Sequence, residues 1–277
     1  MKFGESALMQ TLLLLASYMN KKILKKIGVI VLEVFVVLAL ISPVYHLICG
    51  IGLKKIYTKE NISIYAGNTQ SQEEAINLVD TLLMNLKSFD ASYTPDCSIY
   101  FCNSDAEFRI KSIVISDATP EARTRPNLRS ILIRPCNWES GIHLPSKPEI
   151  DTCSISSLVM HEILHCYEYD KLGIVRYSIK RIYENWKLEG FCDFIAAKSA
   201  FHVEKGLRIF TGLDDYNYVT KNKMRHAYSY FIYRLRTDYL LRYKQITQEE
   251  YWSTSYNEEQ LDNEIRKALS DSSYTFF

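Results

Sequence analysis

A chain of 277 residues is long enough for one sizeable domain with appendages. Its 47% hydrophobic and 23% charged residues are enough to bury a core and exclude global disorder. The formal net charge is +1, and no stripe of clustered Lys and Arg stands out, which argues against nucleic acid as the main partner.

Residues 1–26 form a short N-terminal segment whose apolar run, Ala7 to Met19, is too short to span a membrane comfortably. Residues 27–53 are almost wholly apolar, with Glu33 the one ionised residue inside. About 20 such residues cross a hydrocarbon core of roughly 30 Å, so this run reads as a transmembrane anchor. Lys21, Lys22, Lys25 and Lys26 precede it and Lys54, Lys55 and Lys59 follow it. That balance leans towards an inner N-terminus and a membrane protein whose large domain is extracytoplasmic, in the periplasm or outside the cell. Met19 followed by Asn20, Lys21 and Lys22 also reads as the start of a bacterial signal anchor, which makes Met19 an alternative first residue. No small-residue cleavage site follows the run, so a retained anchor is expected.

Residues 54–70 read as a linker and residues 71–277 as the catalytic domain. Ala75, Ile76, Val79, Leu82, Leu83 and Leu86 recur at helical spacing behind Ser71 and Glu74, which resemble a capping box. Ser98 to Cys102, Phe108 to Ile115 and Arg129 to Arg134 read as strands. Thr119 to Asn127, with two prolines, reads as a loop. From Ser154 onward the pattern is helical: Ser154 to Leu172 ending at Gly173, Tyr177 to Phe201, Lys223 to Tyr243, and shorter pieces at Gln248 to Tyr251 and Glu258 to Leu269. Strands first and helices after predict an α+β domain, a small sheet followed by a mostly helical C-terminal half.

Cys49 falls in the anchor, and six further cysteines follow: Cys97, Cys102, Cys136, Cys153, Cys166 and Cys192. An even number in an exported domain suits disulfides, with Cys136–Cys153 and Cys166–Cys192 as the pairs the spacing suggests. Buried free thiols are the alternative.

Residues 161–165 read His-Glu-Ile-Leu-His. Positions four apart share one helix face, so His161 and His165 can aim two imidazoles at one ion. Zinc takes imidazole nitrogen well and keeps an open position when catalytic. It lowers the pKa of a coordinated water towards 7, and Glu162 stands where it can take that proton as general base. Ile155, Leu158, Val159, Met160, Ile163 and Leu164 surround the motif on nearly every side, so the helix is expected to be buried. Two buried histidines and a glutamate need partners, because unpaired polar groups are costly there.

Downstream, Glu189 and Asp193 lie four apart on the next predicted helix, with Glu189 24 positions after His165. Here the sequence resembles the gluzincins, the thermolysin-like and aminopeptidase-like zinc metallopeptidases, whose pattern is His-Glu-x-x-His followed by Glu-x-x-x-Asp. The resemblance covers roughly Arg129 to Tyr243. It implies a zincin-like fold, Zn2+ held by His161, His165 and Glu189, and Asp193 orienting His161 through its second ring nitrogen. Glu184, Asp170 and Cys192 are rival third ligands. A histidine six residues after His165 would mark a different family, but Lys171 stands there. The resemblance further implies an oxyanion donor on a later helix, with Tyr228 first and His226 and Tyr230 behind it. It also suggests Arg129 to Arg134 as the edge strand that binds an extended substrate. The expected function is hydrolysis of peptide bonds in a peptide or protein substrate. The alternatives are a zinc hydrolase of a non-peptide amide and a non-catalytic membrane-tethered binding module.

Overall fold

The computed structural model describes residues 42–67, 71–112, 120–138, 142–143, 153–198 and 201–276. The chain divides into two compact units, residues 1–49 and 50–277. Residues 42–50 are helical. Most of the expected anchor, residues 27–41, lies outside the described residues. Among the described residues no helix is long and apolar enough to cross a membrane.

The second unit is α+β. The segment read as a linker is a hairpin of β1 (Lys54–Lys59) and β2 (Ile62–Ala66). Glu60 and Asn61 turn it with φ of 46° and 66°, the left-handed backbone that tight two-residue hairpins require. Ser71 caps α1 (Gln72–Phe89) in a full capping box with Glu74, and Ala75, Leu78, Val79, Leu82, Leu83 and Leu86 form its buried stripe. This crossover helix leads to β3 (Cys97–Phe101), which pairs parallel with β2. The expected strand at Phe108 to Ile115 is instead helix α2 (Asp105–Ser112) as far as it is described. Ser104 accepts from Glu107 N, acidic residues fill the first turn and basic residues the last, which stabilises a short helix more than its β-branched content opposes it.

The expected loop at 119–127 holds β4 (Ala122–Arg125). A 3-10 turn over Pro126–Leu128 and left-handed Arg129 then lead into β5 (Ser130–Ile133). The sheet order is β1-β2-β3-β5-β4. β5 pairs parallel with β3 and antiparallel with β4. The edge strands are therefore β1 and β4, and the Arg129–Arg134 segment is interior. Pro120 and Pro126 flank β4, a position at the end of an edge strand where a missing N–H costs no ladder bond. A small antiparallel pair, β6 (Ile142–His143) and β7 (Cys153–Ser154), precedes the long helix.

The C-terminal half is mostly helical: α3 (Ile155–Tyr183), α4 (Asn185–Ile195), α5 (Val203–Phe210), α6 (Asn217–Lys221), α7 (Arg225–Asp238) with a π turn over Tyr239–Tyr243, α8 (Gln248–Ser253) and α9 (Glu258–Ser270). Gly173 interrupts α3 with φ 72° and ψ 162°, where the sequence predicts a helix end. The next predicted helix is split at Glu184 between the end of α3 and α4. One core unites the sheet residues Ile64, Ile99 and Ile131 with Val159 and Ile163 of α3 and Leu188 and Phe191 of α4.

Candidate metal centre

Leu158 to Tyr167 of α3 are all buried, so the histidine motif is enclosed as its apolar neighbours require. His161 and His165, one turn apart, turn their Nε2 atoms towards a single oxygen. Glu189 Oε2, from α4, lies 3.3 Å from His161 Nε2 and 3.4 Å from His165 Nε2. These three side chains could together hold one metal ion.

Each imidazole has a carboxylate at its other nitrogen. His161 Nδ1 is 2.7 Å from Asp193 Oδ1, although the two atoms lack the alignment of a full hydrogen bond. His165 Nδ1 is 2.9 Å from Glu168 Oε2, with Cys192 Sγ at 3.4 Å. Glu168 was not among the expected site residues. It sits three residues after His165 on the same helix face, a spacing that makes side chains neighbours. Arg181 Nη1 holds the second oxygen of Glu189 at 2.6 Å. Lys198 Nζ approaches Asp193 Oδ1 at 3.9 Å.

Burial and Lys198 both oppose the charged form of His161, but Asp193 and Glu189 outweigh them and its pKa is raised. Burial likewise opposes His165, yet its pKa is raised well above the ordinary value, with Cys192 and Glu189 as the opposing neighbours. Glu189 goes the other way. Burial would raise it, but His165, His161 and Arg181 hold it well below the usual carboxylate range. Burial pushes Glu168 up.

Glu162 follows His161 on α3 and is buried. Thr124 Oγ1, on β4, donates to Glu162 Oε2 at 2.6 Å and lies 3.1 Å from its backbone oxygen. Nothing in the local sequence announces Thr124, because the contact joins an edge strand to a helix across 38 positions. Glu121 O accepts from Arg134 N at 3.1 Å, and Arg134 is the residue opposite Glu121 when the β4–β5 register is extended. Bonded and non-bonded pairs alternate along an antiparallel ladder. The N–H and C=O of Ala122 and Thr124 therefore point away from β5.

Of the expected oxyanion donors, Tyr228 is not brought to the cluster. It packs against Phe201, Tyr216 and Phe231 and lines a cleft with Asp262 and Arg266. Tyr230, two residues on and so on the opposite face of α7, has its ring centroid 6.5 Å from that of His161. His226 touches Tyr230. The close approach of α4 and α7 sets this position. A Cβ on Gly190 would meet Thr237 Oγ1 at 2.5 Å and would collide with the backbone oxygen of Tyr233. Burial raises the Tyr230 pKa well above 10, with Glu189 and Asp193 adding to it, so the phenol stays protonated near neutral pH.

Two of the rival ligands are engaged elsewhere. Asp170 forms a two-pronged pair with Arg129, and Glu184 pairs with Lys180 and Lys187. Cys192 faces the Nδ1 side of His165 and forms with His165 and Glu168 a second group of ligand atoms close enough to hold a metal ion. All seven cysteines are free thiols, so the structure contains neither suggested disulfide. Cys97 and Cys166 are close enough to act on one another electrostatically.

The donor set fits zinc. Bonds of about 2.0–2.1 Å at the tetrahedral angle place ligand atoms about 3.3 Å apart, which matches the observed 3.3 and 3.4 Å. Two imidazoles and one carboxylate are ligands that zinc accepts at a catalytic site. Compared with models of known protein families the chain finds no match, and compared with curated proteins it finds none either.

Proposed function

We propose that this chain is a zinc-dependent peptidase with a zincin-like, gluzincin-type site. His161, His165 and Glu189 are its ligands and Glu162 is its general base. The observation that carries the reading is the single oxygen of Glu189 at tetrahedral-edge distance from two imidazole nitrogens. Bound there, zinc supplies a Lewis acid and a water acidic enough to ionise near neutral pH.

The chain's own residues then have defined work. Asp193 and Glu168 fix the two imidazoles so that Nε2 faces inward, since ligating histidines need a carboxylate or carbonyl behind them. Arg181 occupies one oxygen of Glu189 and leaves the other to the ligand set. Glu162 accepts a proton from the attacking water and delivers it to the leaving amine, while Thr124 holds one of its oxygens. Tyr230, a protonated phenol beside His161, is the best placed donor for the charge that develops on the carbonyl oxygen. The outward backbone groups of β4 suit an extended peptide added as a further strand, which favours a peptide over a compact amide. The apolar run at 27–53 makes the protein membrane-anchored, with the domain outside the cytoplasm.

The test is elemental analysis of the purified protein followed by peptide cleavage with Glu162→Gln. About one zinc per chain, retained in the variant while cleavage is abolished, supports the proposal. A folded protein without zinc, or a variant that cleaves normally, overturns it. Full zinc with cleavage only of cell-wall amides points to the non-peptide alternative.

A further inference from the structure

We infer that the helical segment following Gly173 lies with its exposed face on the surface of an anionic lipid bilayer. The inference rests on the membrane reading of residues 27–53 and is independent of the metal chemistry.

After the bend at Gly173, α3 buries only Tyr177 and Lys180. Ile174, Val175, Ile179, Ile182 and Tyr183 are left between 52% and 76% exposed. At 100° per residue these five fall, with Ser178, on one continuous half of the helix. That is the reverse of an ordinary surface helix, whose outer half is polar. Contiguous exposed apolar patches on soluble domains generally mark a contact surface.

The occupant is indicated by what borders the face and by where the chain enters the domain. Arg176 adjoins one edge of the apolar arc. Arg181 adjoins the other, half exposed even though one of its nitrogens holds Glu189. Apolar side chains between flanking cations are the composition of helices that lie in the headgroup region of anionic membranes. Tyr183, at the end of the segment, is of the amphipathic type enriched at that depth. The apolar run ends at Leu53, and Lys54 already begins β1. A chain anchored by that run therefore begins its sheet close to a bilayer by chain connectivity alone, which gives an apolar face lipid to meet.

The test uses the full chain reconstituted in phosphatidylcholine–phosphatidylglycerol liposomes. Ile179→Trp reports from the face, and Met84→Trp, on α1 and 63% exposed in the parent residue, serves as control. Each emission spectrum is read as the difference from the parent protein. The expected result is a blue-shifted Ile179→Trp emission, lost when the acyl chains are brominated and insensitive to aqueous iodide, with Met84→Trp behaving oppositely. Quenching of Ile179→Trp by iodide would show a water-facing surface and overturn the inference. Shielding from both quenchers would mean a protein cover, a second copy or the N-terminal segment, and would also overturn it. Flotation of the parent protein with the vesicles reads the anchor separately. Protein that does not float refutes the anchor and this inference with it, and leaves the zinc and cleavage assays unaffected.

Discussion

Replacing Glu168 by leucine should weaken zinc binding while leaving every direct ligand in place. The carboxylate is 1% exposed and its Oε2 lies 2.9 Å from His165 Nδ1. Without it, that N–H is buried with no carboxylate to accept it. His165 then loses both the partner that fixes its tautomer and the negative charge that makes Nε2 a better donor. Losing such a partner costs roughly 10- to 100-fold in metal affinity, about 1.4–2.8 kcal/mol. Glu168→Gln keeps an amide oxygen that can accept the same hydrogen bond, so its loss should fall at the lower end. Asp193→Asn acts on the other imidazole. Because both histidines serve one ion, the two losses are coupled, and the double variant should depart from their sum by about 0.5 kcal/mol or more. Competitive titration against a chromogenic chelator measures the parent and the four variants, with thermal unfolding checking that each is folded. A folded Glu168→Leu protein with unchanged zinc affinity would refute the assignment.

Thr124→Val removes the hydroxyl on Glu162 with little change in shape. A hydrogen bond to a charged group is worth about 1.5–3 kcal/mol, so turnover should fall by roughly one to two powers of ten with zinc content unchanged; unaltered turnover counts against Thr124 as the group that holds the base. Gly190→Ala forces a methyl against Thr237 and the Tyr233 backbone. Overpacking of this kind costs about 1–3 kcal/mol, so the melting temperature should drop by several degrees, and a stable variant would mean that α4 and α7 separate without cost.

Much of the candidate site is legible in one stretch of sequence, because its chemistry lies on two helices whose internal spacing is fixed. His161 and His165 are neighbours by helical geometry alone, as are Glu189 and Asp193. Helix α1 is legible for the same reason, its capping box and apolar stripe being local. What escapes is what the tertiary fold decides. The prolines beside β4 mimic a loop, and only the sheet reveals a strand whose ends tolerate them. The Lys-rich hairpin at 54–66 has one exposed strand and so lacks the apolar alternation of a buried one. Tyr228 and Tyr230 are equivalent in composition, and the choice between them depends on which face of α7 meets α4. Arg181 lies eight positions before Glu189, but a helix break at Glu184 intervenes, so no periodicity links them.

The charge of the buried cluster leads to one more expected outcome. Among the described residues, Glu162, Glu168, Glu189 and Asp193 outnumber the permanent cations acting on them, Arg181 at Glu189 and Lys198 and Arg234 at Asp193, so with neutral imidazoles the group is acid-rich. In metal-stripped protein the compensation available is protonation of the histidines, in keeping with the raised pKa values of both. A histidine with a raised folded pKa contributes stability that is complete below its unfolded value of about 6.5 and is lost as pH rises through the folded value. Glu189, held low, contributes stability that is complete above about 4.3 and is lost as pH falls through its folded pKa. Stripped protein should therefore be most stable between about pH 4.5 and 6.5 and weaken above that range. Zinc requires the same nitrogens deprotonated, so the zinc-loaded protein should gain stability with pH up to about 6.5, while the unfolded histidines still hold protons, and keep it above that, where the stripped protein loses stability. Each displaced proton is worth about 1.4 kcal/mol per pH unit. Unfolding curves of both forms from pH 5 to 8 should diverge steadily, the loaded form rising below about pH 6.5 and the stripped form falling above it, whereas parallel curves would mean that protons and metal do not compete for His161 and His165.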